Sequence, residues 1–148
     1  MSVLDANTIT SCGATITSPG LYQLTGDLTD ATQDWCIYVS ASDVTVDGNG
    51  RTIDGVDDAT TDGIAIPGLS PQPNVTVRNL TLTDWEEGVF VSQGASVALR
   101  DLTVDSSATG VKVDGGADAT VQNVDVADAT TGVRVAERAN ATLQDVDV

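Results

Sequence analysis

The chain has 148 residues, 22 of them acidic and 6 basic, for a net charge of −16. This length suffices for one domain, and the lack of a basic cluster argues against nucleic acid and anionic membranes as partners. An acidic composition with Lys112 as its single lysine and no histidine is typical of halophilic proteins, in which molar salt screens the repulsion between like charges. An acidic surface on a protein from a low-salt environment is the alternative interpretation.

The first 35 residues contain strand-like pieces at 14–17 and 21–24, but they do not follow the repeat that begins at Cys36. The first coil of a repeated β-structure has an unpaired edge that needs a cover. We therefore predict that residues 1–35 form an N-terminal cap. Residues 1–5 show neither the charged nor the apolar part of a signal peptide, so we expect a mature chain or part of a longer protein. No apolar stretch is long enough to span a membrane.

Two cysteines, Cys12 and Cys36, are the only ones in the chain. An even pair of this kind is typical of a disulfide in an oxidising compartment. A disulfide closing a loop of about 25 residues would stabilise the fold by about 3 kcal/mol. We predict this disulfide and an extracellular or cell-surface location; two buried thiols are the alternative.

The remainder of the chain repeats. Three copies begin at Gly88, Gly110 and Gly132, which are 22 residues apart, and less regular copies begin near Gly63 and Cys36. In each copy the apolar residues alternate in three short runs, which is the period of strands with one buried face. We predict an all-β fold, a right-handed parallel β-helix (solenoid) with about 22 residues and three short strands per coil. The coils fill residues 36–148 and leave the C-terminal end uncapped.

The pattern also predicts which side chains point inward. Val121 should be buried between Leu99 and Leu143 of the neighbouring coils, whereas Thr120 should face solvent. A leucine-rich repeat has a similar period, but its apolar residues are mainly leucines, and those found here are mainly Val and Ala. We therefore reject the leucine-rich repeat.

Short polar side chains recur between the second and third runs of each copy. Residues of this type tolerate the left-handed αL conformation and can hydrogen-bond along a stack. We predict a structural ladder formed by Asn79, Asp101, Asn123 and Asp145.

The motif SPGLYQL, the stretch CIYVSASDVTVDGNGRTIDG and the repeats that open with Gly-Val/Ile-x-Val/Ile resemble secreted β-helix proteins of the pectate-lyase-like superfamily. The pattern is most similar to NosD-like and carbohydrate-binding or sugar-hydrolase-type modules of haloarchaeal cell surfaces. The resemblance covers the whole chain and implies the fold. It does not imply one activity, because this fold hosts lyases, hydrolases, adhesins and structural proteins. The catalytic sets of the lyases and the inverting hydrolases are not recognisable, and copper ligands are lacking.

One predicted strand face has the composition of a sugar-binding groove. The outward residues of the first strands form a column, which the resemblance also implies as the substrate face. Aromatic rings flanked by carboxylates and cations are the groups that a sugar-binding groove uses. The alternative interpretation is a solvated face that binds nothing and has one partly buried tryptophan. The candidate ligand-binding residues are Trp85, Glu86, Glu87, Phe90, Lys112 and Arg134.

An acidic loop is a candidate Ca²⁺ site, because Ca²⁺ takes 6–8 oxygen ligands in proteins. Its carboxylates belong to Asp54, Asp57, Asp58 and Asp62. Chance clustering in an Asp-rich chain is the alternative interpretation.

Three glycosylation sequons begin at Asn74, Asn79 and Asn140. We expect Asn74 and Asn140 to be exposed and Asn79 to be inaccessible within the ladder. All three sequons being unused is an equally open alternative.

We therefore expect a non-enzymatic extracellular β-helix module of a halophile surface protein, with a structural or glycan-binding role. The alternatives are a non-catalytic fragment of a polysaccharide lyase or glycoside hydrolase, and a unit that stacks end to end into a fibre. The expected partners are polysaccharide, other surface proteins, and further coils or another copy at the C-terminal edge. No cofactor, nucleic acid or membrane insertion is expected, with Ca²⁺ as the one candidate ligand.

Overall fold

A computed structural model of the chain describes residues 7–29, 34–56, 61–68 and 74–148. All regular secondary structure in these ranges is β-strand. The strands are β1 (Asn7–Ile9), β2 (Ala14–Ile16), β3 (Gly20–Leu24), β4 (Trp35–Val39), β5 (Val44–Asp54), β6 (Asp62–Ile66), β7 (Asn74–Thr83), β8 (Glu87–Val91), β9 (Ser96–Asp105), β10 (Thr109–Val113), β11 (Asp118–Ala127), β12 (Thr131–Val135) and β13 (Asn140–Asp147).

The strands form two parallel sheets around a common core. The odd-numbered strands make a seven-stranded sheet, called here the long-strand sheet, and the even-numbered strands make a six-stranded sheet, called the short-strand sheet. Each strand pairs with the strand two places along the chain, one coil away. The chain is therefore a parallel β-solenoid of about six coils spaced about 22 residues apart, which confirms the predicted all-β repeat.

The core follows the predicted register. Val121 pairs with Leu99 on one side and Leu143 on the other. Val121 and Leu99 are fully buried, whereas Thr120 is exposed. Identical spacing in successive coils therefore stacks apolar side chains into columns inside the solenoid.

The second and third predicted strands of each coil are joined, which corrects the sequence prediction. In β9 and β11 the chain bends once, at Asp101 (φ 54°) and Asn123 (φ 53°), and pairing continues on both sides of the bend. A single αL residue turns the corner without releasing the neighbouring residues from the sheet, so the two short strands become one bent strand.

The glycine that opens each regular coil is required by close stacking. A Cβ on Gly110 would lie 2.6 Å from the carbonyl oxygen of Gly132, and one on Gly88 would lie 2.7 Å from that of Gly110. Side chains larger than hydrogen do not fit at such distances, so the glycine column sets how closely the coils approach.

The described part of the expected cap is paired into both sheets. Strand β3 pairs with β5, and β2 pairs with β4. The segment therefore forms a first coil of the solenoid. The predicted disulfide joins Cys12 to Cys36, and its buried Cys36 occupies the coil-opening slot held later by glycine.

The coil that contains β12 and β13 lies at one end of the described stack. Strands β12 and β13 are the edge strands of their sheets. Val135, Leu143 and Val148 are 45%, 50% and 74% exposed, although the residues stacked on Val135 and Leu143 in the preceding coil are buried.

Candidate functional site

The outer face of the short-strand sheet presents two parallel columns of side chains, together called here the outer face. In β4, β8 and β10 the first and fourth residues are half-buried and the other three are buried, so the first and fourth face outward. The strand register aligns these positions from coil to coil. The first column is Trp35, Asp62, Glu87, Thr109 and Thr131, and the second is Tyr38, Ala65, Phe90, Lys112 and Arg134.

Lys112 lies at the centre of this face and contacts two predicted site residues. Its Nζ is 2.9 Å from Oε1 of Glu87 and 5.0 Å from the centroid of the Phe90 ring. The hydrogen bond to Glu87 raises the pKa of Lys112, and burial opposes the shift. The lysine is therefore a charged group held by a carboxylate and an aromatic ring together.

Asp62 and Glu87 form a hydrogen-bonded carboxyl pair on neighbouring strands. Burial, together with the negative charge of Glu87, raises the pKa of Asp62 to about 7, while Lys112 opposes the shift. Backbone N–H groups of Glu86 and Glu87 both donate to the carbonyl oxygen of Thr61, which fixes the two strands at this point. Asp62 therefore keeps its proton to a higher pH than a free carboxyl does, because burial and the adjacent Glu87 disfavour its charged form.

Two aromatic residues that the sequence interpretation missed extend this face. The rings of Trp35 and Tyr38 lie 5.1 Å apart between centroids, with an interplanar angle of 46°. Tyr38 pairs with Ala65, which in turn pairs with Phe90. The signal was present in the aligned repeats, because Tyr38 in CIYV holds the slot of Phe90 in GVFV.

Trp85, which the sequence makes a candidate ligand-binding residue, is buried and does not belong to the outer face. Its side chain is 1% exposed and its indole N–H donates to the carbonyl oxygen of Ile53 at 3.2 Å. A Cβ on Gly55 would lie 3.0 Å from the indole ring, so this glycine leaves room for it. The ring is part of the core and presents no surface to a ligand. Glu86, beside it, is half-buried.

A polar groove adjoins the outer face where β10 and β12 begin. This open groove has a volume of about 440 Å³, and carboxylates and hydroxyls line it. The lining residues are Asp84, Ser106, Ser107, Ala108, Asp128 and Thr130.

The candidate calcium ligands separate into different environments. Asp54 accepts a hydrogen bond of 2.7 Å from the Thr83 hydroxyl, and Asp62 pairs with Glu87. Asp57 and Asp58 lie outside the described residues. Within the described ranges no three His, Cys, Asp or Glu side chains are grouped as metal ligands.

The four ladder residues all adopt the αL conformation, with φ between 53° and 56°. Asn123 Nδ2 donates to Asp101 Oδ1 at 2.6 Å, and Asn79 Nδ2 reaches Asp47 Oδ1 at 3.4 Å. The structure adds Asn49, whose φ is 52° and whose amide donates to the Leu24 carbonyl. The side-chain amides of these residues thus donate hydrogen bonds to backbone and side-chain oxygens along the corner of the solenoid.

The sequon residues Asn74 and Asn140 are exposed, and so is Asn79, which we expected to be inaccessible. The bend at the corner places Asn79 on the outside of the solenoid, although its amide reaches Asp47. Asn140 Nδ2 donates to Asp118 Oδ1 at 3.0 Å.

Comparison of the chain with protein-family models, with curated proteins and with solved structures gave no significant match. The described ranges also include no helix with the length and hydrophobicity needed to cross a membrane. The comparisons therefore indicate no function, and the proposal below depends on the geometry of the outer face.

Proposed function

We propose that this chain is a non-enzymatic module of an extracellular protein from a salt-rich environment, and that its outer face binds glycans. One observation carries the proposal: the strand register brings Trp35, Tyr38 and Phe90 onto one face with the carboxyl pair Asp62–Glu87. Sugar rings stack their C–H faces on aromatic rings, and their hydroxyls donate to carboxylates. The combination of apolar surface and a few convergent polar groups is typical of ligand sites.

The dimensions of the face suit a short oligosaccharide. Tyr38 and Phe90 are two strands apart in the sheet, a separation of about 10 Å at normal strand spacing. Ala65 between them is 5% exposed, so the larger side chains around it shield it. A bound chain would lie across the aromatic residues and continue toward Thr109 and the polar groove.

The carboxyl geometry supports a binding role over hydrolysis. Inverting glycosidases hold their two carboxyls about 6.5–9.5 Å apart and retaining enzymes about 5–5.5 Å apart. Asp62 and Glu87 are instead hydrogen-bonded to each other. Lys112 is a poor general base because its ion pair with Glu87 keeps it protonated.

The disulfide Cys12–Cys36 supports an oxidising, extracytoplasmic compartment. The net charge of −16 with a single lysine supports a salt-rich one.

A glycan panel with neutral, acidic and amino-sugar polymers tests the proposal. We expect the wild type to bind at least one class, and the Tyr38→Ala/Phe90→Ala variant to lose that binding. Thr120→Ala is the matched control, because Thr120 faces outward from the long-strand sheet. Binding by none of the glycans, or equal binding by the double variant, would overturn the proposal. Turnover of a bound polysaccharide would refute the non-enzymatic part.

Pairing with another copy through the last coil is a second candidate function. Three of the four large apolar side chains that are exposed within the described ranges, Val135, Leu143 and Val148, lie at this end. Exposed strand edges are templates for pairing with another chain. Light scattering across a salt series tests this role, with association expected in molar salt; a monomer at every salt and protein concentration would exclude it.

A further inference from the structure

We propose that the outer face selects glycans that carry a protonated amino group, held beside Tyr38 and Phe90 with Asp62 as its counter-charge. This inference rests on the proposed glycan-binding function and names the class of sugar.

The carboxyl groups at the aromatic end of the face exceed the cations available to them. Glu87 is paired with Lys112 at 2.9 Å. Asp62 hydrogen-bonds to Glu87, and within the described part of the chain it makes no ion pair of its own. Glu86 adds a further negative charge near Asp62. Ionised Asp62 would therefore lack a cation, which a cationic ligand can supply, whereas an anionic sugar would meet the negative charges of Glu86 and Glu87.

Lys112 shows, within the molecule, how an ammonium group binds on this face. Its Nζ contacts a carboxylate of the first column and the ring of Phe90 in the second column. One coil further from the C-terminus the same two columns offer Asp62 in place of Glu87, with the rings of Tyr38 and Phe90 on either side of Ala65. At that level the chain supplies no lysine of its own, because Lys112 is the only one. Ala65 stands here in the slot that Phe90 holds beside Lys112, so a ligand's amino group would meet Asp62 and the flanking rings of Tyr38 and Phe90, which are the same two kinds of group that Lys112 contacts.

The ionisation of Asp62 supports the same ligand class. The charged and titratable groups that act on it are Glu87, Glu86 and Lys112, and its pKa is raised to about 7. A bound ammonium group would favour the charged form of Asp62, so its binding would displace the proton that Asp62 otherwise retains. A neutral sugar offers no such compensation.

Two oligosaccharides of equal length that differ in one group provide the test. Glucosamine oligomers carry a free amine, whereas N-acetylglucosamine oligomers carry a neutral amide at the same position. Affinities are measured by calorimetry at constant ionic strength and at a pH where the amine is protonated. We expect the wild type to bind the free-amine oligomer at least about tenfold more tightly, which corresponds to about 1.4 kcal/mol. Asp62→Asn should reduce this preference to less than about threefold.

Asp62→Asn keeps the shape of the side chain and its ability to hydrogen-bond to Glu87, so it tests charge alone. Glu137→Gln is the matched control: it also removes one negative charge, and Gln93 holds a corresponding αL turn position in an earlier coil. The control should retain the full preference.

The outcomes separate the two proposals. Equal affinity of the wild type for both oligomers would overturn the amino-sugar inference and leave glycan binding standing. A preference that survives Asp62→Asn would also overturn the inference, because Asp62 would not be the counter-charge. Failure of both oligomers and of every other glycan to bind would refute the proposed function itself.

Discussion

Asp62 and Glu87 face each other on neighbouring strands of the short-strand sheet and share a hydrogen bond. Burial and the charge of Glu87 raise the pKa of Asp62 from 3.8 to about 7, with Lys112 opposing the shift. The folded chain therefore retains a proton that the unfolded chain releases at lower pH. This difference links the stability of the solenoid to pH in a defined window.

The stability contributed by protonated Asp62 should be complete below pH 4 and lost as pH rises through about 7. Since other carboxylates titrate in the lower part of that window, the comparison is best made between pH 5.5 and 8. Since one pKa unit corresponds to about 1.4 kcal/mol and the group is partly exposed, we expect the free energy of unfolding to fall by roughly 1–2 kcal/mol. Urea denaturation in molar NaCl measures it. In Asp62→Asn this fall should disappear; an unchanged pH dependence in that variant would contradict the assignment.

The stacking register predicts different costs for two neighbouring substitutions. Val121→Asp places a charge in the apolar core between Leu99 and Leu143 and should cost about 3–5 kcal/mol. Thr120→Asp, which faces solvent, should cost less than about 1 kcal/mol. Thermal or urea denaturation of both variants provides the comparison, and equal costs would mean that the inward and outward positions are exchanged.

The corner ladder predicts a penalty for adding a like charge. Asn123→Asp keeps a residue that tolerates αL but removes the amide donor to Asp101 and stacks three carboxylates at Asp101, position 123 and Asp145. We expect a loss of about 1 kcal/mol at low salt, reduced in molar salt. Asp101→Asn is the control and should change stability by less than about 0.5 kcal/mol, since it adds no charge. A larger loss for the control than for Asn123→Asp would exclude this explanation.

The sequence was sufficient to predict which side chains stack inside the solenoid. Alternation along each strand decides which residues point inward, and this pattern recurs in every copy of the repeat. Val121 is buried and Thr120 is exposed, as alternation required. The disulfide Cys12–Cys36 also formed as predicted. These features depend on spacing and residue type alone, and both are visible in the repeats.

Features that depend on contacts between coils were not predictable in this way. Trp85 lies in a turn, where strand alternation does not apply, and the space left by Gly55 decides its buried position. Asp62 follows an acidic loop in the sequence, whereas its partner Glu87 lies in the next coil, so the sequence alone does not indicate their contact. Tyr38 lies in an irregular coil, in which the paired Ile37 and Ile64 are offset by 27 positions instead of 22, so the regular spacing alone does not point to it.

The net charge of −16 predicts that the solenoid needs salt. The screening length falls from about 10 Å at 0.1 M to about 3 Å at 1 M, which removes most repulsion between surface carboxylates. The melting temperature should therefore rise steeply between about 0.1 M and molar NaCl. Circular dichroism with both NaCl and KCl measures this rise and separates screening from specific ion binding. A melting temperature that is flat over the range would refute the halophilic interpretation.

Binding of a glycan to the outer face is tested most directly by mapping where the glycan contacts the protein. Two-dimensional NMR in molar NaCl, titrated with the tightest-binding glycan of the panel, reports perturbation residue by residue. We expect the shifts to concentrate in β4, β6, β8 and β10, with the indole N–H of Trp35 among the most perturbed signals. Shifts confined to the outward residues of the long-strand sheet, such as Thr76 and Thr120, with the Trp35 signal unchanged, would contradict the account.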